Sequence, residues 1–198
     1  MSDTSLRMRG PVLGTPEAKK VAAGSGVGAV IETYDFIGFG TAAALYFGTA
    51  FFPGSDPLTG TLLSFATLGV GFAARPIGGI IGGHLGDRVG RKPVLVASLI
   101  IMGLATFVIG LLPAYAAVGI IAPILLVVVR IVQGLVFGAE WGGAILMTYE
   151  HAPWRAKGAF TGIVQAGFPV GLLLANLVFL FSVHLPGDWA WRIPFLAS

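Results

Sequence analysis

The sequence has no cysteine, only three histidines and few charges, with Asp, Glu, Lys and Arg making up 11% of its 198 residues. Without cysteine there is no disulfide framework and no thiolate metal site. His84, His151 and His184 stand apart near the ends of apolar stretches and form no ligand cluster. Nothing is arranged as a catalytic triad, so an enzyme is not expected, and neither is a bound metal or cofactor. Gly24, Gly26 and Ala29 fit the loose dinucleotide pattern G-x-G-x-x-A. No strand candidate precedes them and no βαβ alternation follows, so they read as the flexible start of a membrane helix. The net charge of +3 is gathered loop by loop rather than along a stripe, which argues against nucleic acid as a partner.

What the sequence has in abundance is apolar surface. Hydrophobic residues make up 56% of the chain and its mean hydropathy is +0.88, more than a soluble core of this size could hide. Each crossing of a ~30 Å hydrocarbon layer takes roughly 20 apolar residues. Residues 1–20 form a polar arm, and residues 21–198 hold apolar stretches at about 21–52, 60–85, 93–112, 116–149, 158–183 and 191–198, the last only begun. The expected fold is therefore all-α and polytopic, with five full spans and the start of a sixth in contact with the lipid bilayer. Long continuous apolar runs, in place of ~10-residue alternations, exclude a barrel. No cleaved signal peptide is evident, since the first apolar stretch is far longer than a secretory h-region.

Orientation follows from the basic residues. A cytoplasmic N-terminus places Arg7, Arg9, Lys19, Lys20, Arg88, Arg91, Lys92, Arg155 and Lys157 inside, nine of the twelve. Glycines four apart, at Gly78/Gly82/Gly86, Gly79/Gly83, Gly134/Gly138/Gly142, Gly158/Gly162 and Gly167/Gly171, are expected to let helix backbones approach closely.

The most informative stretch is Gly83-His-Leu-Gly-Asp87-Arg88-Val-Gly90-Arg91-Lys92, an acid and three bases in a turn punctuated by glycine. Membrane topology alone would need only the bases. Its spacing resembles the G-x-x-x-D-R-x-G-R-R/K loop of the major facilitator superfamily, and Arg130-Ile-Val-Gln133-Gly134-Leu-Val-Phe-Gly138 resembles that family's fourth-span R-x-x-Q-G-x-x-x-G motif. Glu32-Thr-Tyr34-Asp35-Phe36, Arg75-Pro76-Ile-Gly78-Gly79, Gly138-Ala-Glu140-Trp141-Gly142-Gly143 and Trp191-Arg192-Ile-Pro194-Phe195 resemble the metabolite:proton symporter group of citrate, α-ketoglutarate, shikimate and proline or betaine permeases. Thr33 and Ala29 depart from that group, which usually has Trp and Asn there.

The resemblance implies a secondary transporter in a plasma or bacterial inner membrane, moving a small polar metabolite, an organic acid or zwitterion, together with a proton as coupling ion. It also implies a cytoplasmic gate in which Asp87 and Arg91 pair with Glu150; Glu150 and Arg155 could equally be solvated loop charges. Family members have twelve spans in two halves, so transport by this chain is expected to need a missing C-terminal half. Within the spans, Glu32, Asp35, Arg130 and Glu140 are charges at depth, where a partner or an aqueous cavity is required. Glu32 and Asp35 are three apart on one helix, with Tyr34 offset by roughly 100°, and are expected to present paired carboxylates for proton coupling. Arg130 either attracts a substrate carboxylate or balances one of these acids, and Gln133 is a neutral alternative contact. Span five lacks the adjacent Gly-Pro and paired Gly of the family's drug-antiporter motif, which favours symport over drug efflux. The reading from another class is a non-transporting membrane scaffold or receptor fragment, which would need the packing but not the buried acids.

Overall fold

A computed structural model describes residues 16–151 and 157–198, with side chains from 23 to 140, at 162 and from 164 to 198. The chain is an all-α, polytopic membrane protein. Helix α1 (Pro16–Ala42) runs through one π turn (Ala43–Phe47) into α2 (Gly48–Phe51), so that the first rod extends unbroken to Phe51. There follow α3 (Pro57–Val89), α4 (Arg91–Leu111), the single turn α5 (Tyr115–Val118), α6 (Ile121–His151), α7 (Lys157–Ser182) and α8 (Trp189–Leu196).

Segments of α3, α4, α6 and α7 are long and apolar enough to cross a membrane, and only 28% to 33% of each such window is buried within the bundle. Most of their Leu, Ile, Val and Phe side chains therefore point outward, the inverse of a soluble protein and the arrangement a lipid solvent demands.

Two glycine faces set the helix packing. On α3 and α6, a Cβ at Gly78 would overlap the Leu135 carbonyl, and one at Gly134 or Gly138 would overlap the carbonyls of Gly71 and Arg75. On α7, a Cβ at Gly167 would come within 2.7 Å of the Ala29 Cβ, and one at Gly171 within 2.8 Å of the Thr33 Cβ, so α7 lies directly on α1. Pro169 falls between these two contact glycines and removes one backbone donor from α7. Gly83 and Gly162 meet nothing within 4 Å, so their spacing serves no contact among the described residues.

At one end of the bundle, Phe39, Phe47, Phe51, Trp191 and Phe195 interlock, all fully buried or nearly so. The π turn adds a residue to the local repeat and so sets the phase at which Phe47 and Phe51 meet α8, with ring centroids 5.5 and 5.6 Å from Trp191. Tyr34 ties α1 to the same helix by donating its hydroxyl to the Pro194 carbonyl at 2.6 Å.

Two connections differ from the sequence expectation. The charged stretch expected as a loop at Gly86–Lys92 is almost wholly helical: α3 continues to Val89 and α4 begins at Arg91, leaving Gly90 (φ 101°, ψ 147°) as the entire connector. Glycine reaches that conformation without a Cβ clash, which is what allows so short a reversal. The apolar stretch from Ala116 is broken at Gly119 (φ 60°), so α6 starts only at Ile121.

Candidate functional site

Three helices, α1, α3 and α6, bring the intramembrane charges onto two cavities that share Glu32 and Arg75, with Arg130 and Glu140 about 15 Å apart along α6. The α3–α6 glycine face brings Arg75 beside Arg130, Gln133 and Glu140, and the α1–α7 face holds Glu32 and Asp35 opposite them. Arg130 lies nine residues into α6, about 14 Å along the axis, and so well below the helix end.

Asp35 is 2% exposed and is held from three directions. Arg130 donates from Nη1 to Oδ2 at 3.0 Å, the Thr106 hydroxyl donates to Oδ1 at 2.8 Å, and the Gln133 amide donates to Oδ1 at 2.9 Å. The same amide nitrogen lies 2.9 Å from the Thr106 hydroxyl, closing the network across α1, α4 and α6. The Arg130 guanidinium also stacks on Phe39, its Cζ 3.3 Å from the ring centroid. Arg130 is thus the partner of Asp35 in this structure, one of the two roles the sequence left open.

Glu32 borders this network and also reaches a larger space. With Arg75, Glu140, Ser25 and Gln165 it lines a cavity of about 290 Å³, walled by Phe36, Phe72, Phe137 and Phe168. The Glu140 carboxylate sits against α1 at Gly28, where a Cβ would come within 2.9 Å of its Oε1. Arg75 stacks its guanidinium on Phe72, one turn earlier on α3, at 4.0 Å, and on Phe137 of α6 at 3.5 Å. The two carboxylates expected as a pair both border a small cavity of about 20 Å³ with Arg75 and Arg130, and of the two only Glu32 also reaches the larger one. Asp35 is closed inside an ion-pair network, and Glu32 opens on the larger cavity with Glu140. Tyr34 is buried and spent on its bond to α8.

The charged stretch lies at the far end of α3. Asp87, Arg88, Arg91 and Lys92 are exposed there, and Gly83, Asp87 and Arg91 line a shallow groove of about 240 Å³ between α3, α4 and α6. The Glu150 side chain and all of Arg155 lie outside the described residues, so the pairing expected of Asp87 and Arg91 with Glu150 does too. Thr106, Arg75 and the Phe72/Phe137 walls were not singled out from sequence as site residues. Arg75 alone left a signal, a charge inside an apolar run; a threonine or phenylalanine in a span leaves none.

The sequence profile of sugar (and other) transporters matches residues 21–198. The chain belongs to this family of the major facilitator superfamily. Its members are membrane transporters and not enzymes. The chain is 48% identical over 204 residues to the shikimate transporter of Escherichia coli (strain K12), covering 99% of this chain and 47% of that protein. It is 49% identical to the inner membrane metabolite transport protein YhjE of the same organism (90% of this chain, 42% of that one) and 37% identical to its proline/betaine transporter (91% and 37%). The chain thus spans less than half the length of these relatives. Among solved structures, the inward-open xylose transporter XylE from E. coli superposes with a TM-score of 0.74 at 19% identity, over 91% of this chain and 44% of that one. At that identity the likeness is one of fold.

Proposed function

We propose that this chain forms part of a proton-coupled secondary transporter of the bacterial inner membrane, its N-terminus cytoplasmic, that moves a small organic acid or zwitterion by alternating access. The observation that carries the reading is the cavity shared by Glu32, Glu140 and Arg75. Asp35 and Arg130 cancel each other beside it, so the cavity holds two carboxylates against one guanidinium. That leaves one negative charge unmatched, which a proton can neutralise, and charge at such depth is the usual mark of an ion or substrate path. The carboxylate and zwitterion substrates in the names of the shikimate and proline/betaine relatives favour the same class.

Asp87, Arg88, Arg91 and Lys92, with Gly83 and Gly90 shaping the turn and Glu150 and Arg155 nearby in sequence, act as the cytoplasmic gate. Their ion pairs bias the two states only where they differ between them. Because the relatives are more than twice as long, transport requires a further half facing this cavity.

The test is uptake of labelled shikimate and proline into proteoliposomes holding a full-length version, with and without an imposed pH gradient. Glu32→Gln and Glu140→Gln should abolish gradient-driven accumulation while leaving exchange of substrate across the membrane. Accumulation that persists in the double variant would remove proton coupling from this cavity. A binding signal with no uptake in the wild type would favour a receptor instead.

A further inference from the structure

Resting on the transporter reading above, we infer that Arg75 is the residue that anchors a carboxylate group of the transported metabolite. Two guanidinium groups lie in this part of the bundle, and of the two only Arg75 lines the larger cavity. Arg130 is 6% exposed, ion-paired to Asp35 at 3.0 Å and stacked on Phe39. Its Nε and Nη2 are also buried without a partner, but the space it borders is only about 20 Å³, too small for a metabolite.

Arg75 makes no hydrogen bond or ion pair among the described residues, and its Nε is buried without a partner. It lines the cavity all the same. Glu32 and Asp35 are the acids whose fields reach it, yet neither bonds it. Phe72 and Phe137 occupy its π surface at 4.0 and 3.5 Å, leaving its N–H edge as the approach. That edge is the fork that matches a carboxylate with two parallel hydrogen bonds, and the stacked rings hold it in one plane before the ligand arrives. Glu32, Glu140 and Gln165 supply acceptors elsewhere in the cavity, suited to hydroxyl or ammonium donors on the same molecule. The ligand class is a small carboxylic acid bearing hydroxyl or amino groups, with an apolar face for the phenylalanine walls.

Full-length transporter in nanodiscs and proteoliposomes provides the test, with shikimate, proline and uncharged xylose as probes. Phenylglyoxal should modify Arg75 and spare Arg130, and millimolar shikimate should protect Arg75 where its methyl ester does not. Arg75→Gln should raise the KM for carboxylate uptake by about 100-fold, the loss of two charge-assisted hydrogen bonds, and Arg75→Lys by about 10-fold, since the charge remains without the fork. Wild-type-like KM in Arg75→Gln would overturn the anchor and leave the transporter reading standing. Uptake of xylose alone by the wild type would overturn the carboxylate class. Should Arg75→Gln fail to insert, or no probe be transported, modification of Arg75 unaffected by either carboxylate overturns the assignment.

Discussion

Asp35 and Arg130 are 95 residues apart in the chain and meet at 3.0 Å inside the bundle, both nearly closed to solvent. A buried pair of this kind adds little net stability over apolar residues of the same shape, but losing one member leaves an uncompensated charge. Asp35→Asn or Arg130→Gln alone should therefore cost about 3–5 kcal/mol in thermal unfolding of the purified protein, whereas Asp35→Leu combined with Arg130→Met should recover most of that loss. Equal destabilisation by the double variant would mean that the pair is stabilising in itself. The glutamates behave differently because they face a cavity, and their replacement should affect transport more than folding. From sequence, Glu32 and Asp35 were expected to act together because three residues on a helix put both on one side. In the structure Asp35 meets Arg130 of α6 while Glu32 also lines the larger cavity, and the two still border one small cavity.

The helices are placed by contacts that forbid side chains. Gly78→Val or Gly138→Val would drive a branched side chain into the facing backbone of α6 or α3, and about 1–3 kcal/mol or more of destabilisation is expected, read as a lowered melting temperature. Gly162→Ala, at a position with nothing within 4 Å, should be neutral in the same measurement. The start of α3 depends on a cap instead. Asp56 accepts from the Thr59 amide at 3.0 Å and from its hydroxyl at 2.6 Å, and these bonds hold its carboxyl below the usual aspartate range. Since the folded value is the depressed one, the cap's contribution is whole above the ordinary aspartate pKa and fades as pH falls through the folded value. Protection of the amides in the first turn of α3, taken relative to their intrinsic exchange rate at each pH, should fall on acidification in the wild type. In Asp56→Ala it should be low at neutral pH and show no such acid step. Small-residue spacing in the sequence marked Gly78/Gly82, Gly134/Gly138 and Gly167/Gly171 as contact sites, but the same spacing at Gly83 and Gly162 makes no contact among the described residues. A four-residue repeat fixes a helix face and not what lies opposite it.

For the whole molecule, an apolar exterior and a cavity lined by α1, α3, α6 and α7 suit the proposed transporter, whose second half would face that cavity. Reconstituted alone, the 198-residue chain should insert and show no substrate accumulation, while a full-length version should accumulate; accumulation by the short chain would remove the requirement. An epitope at the N-terminus should be reached only from the cytoplasmic side, as the distribution of Lys and Arg demands. The sequence by itself determined that the chain is a bundle of membrane helices of this family, because hydrophobic run length, basic loop residues and local motifs are all properties of neighbouring residues. Only the tertiary structure decided which charges meet and which of them line the larger cavity. Asp35, Thr106, Arg130 and Gln133 close on one another, while Glu32, Arg75 and Glu140 share a cavity, because helix rotation and inter-helix distance are set by glycine contacts between segments far apart in the chain. The turn at Gly90 was decided at the same level. Its sequence reads as a loop of charges, and backbone geometry makes it a single glycine between two continuous helices.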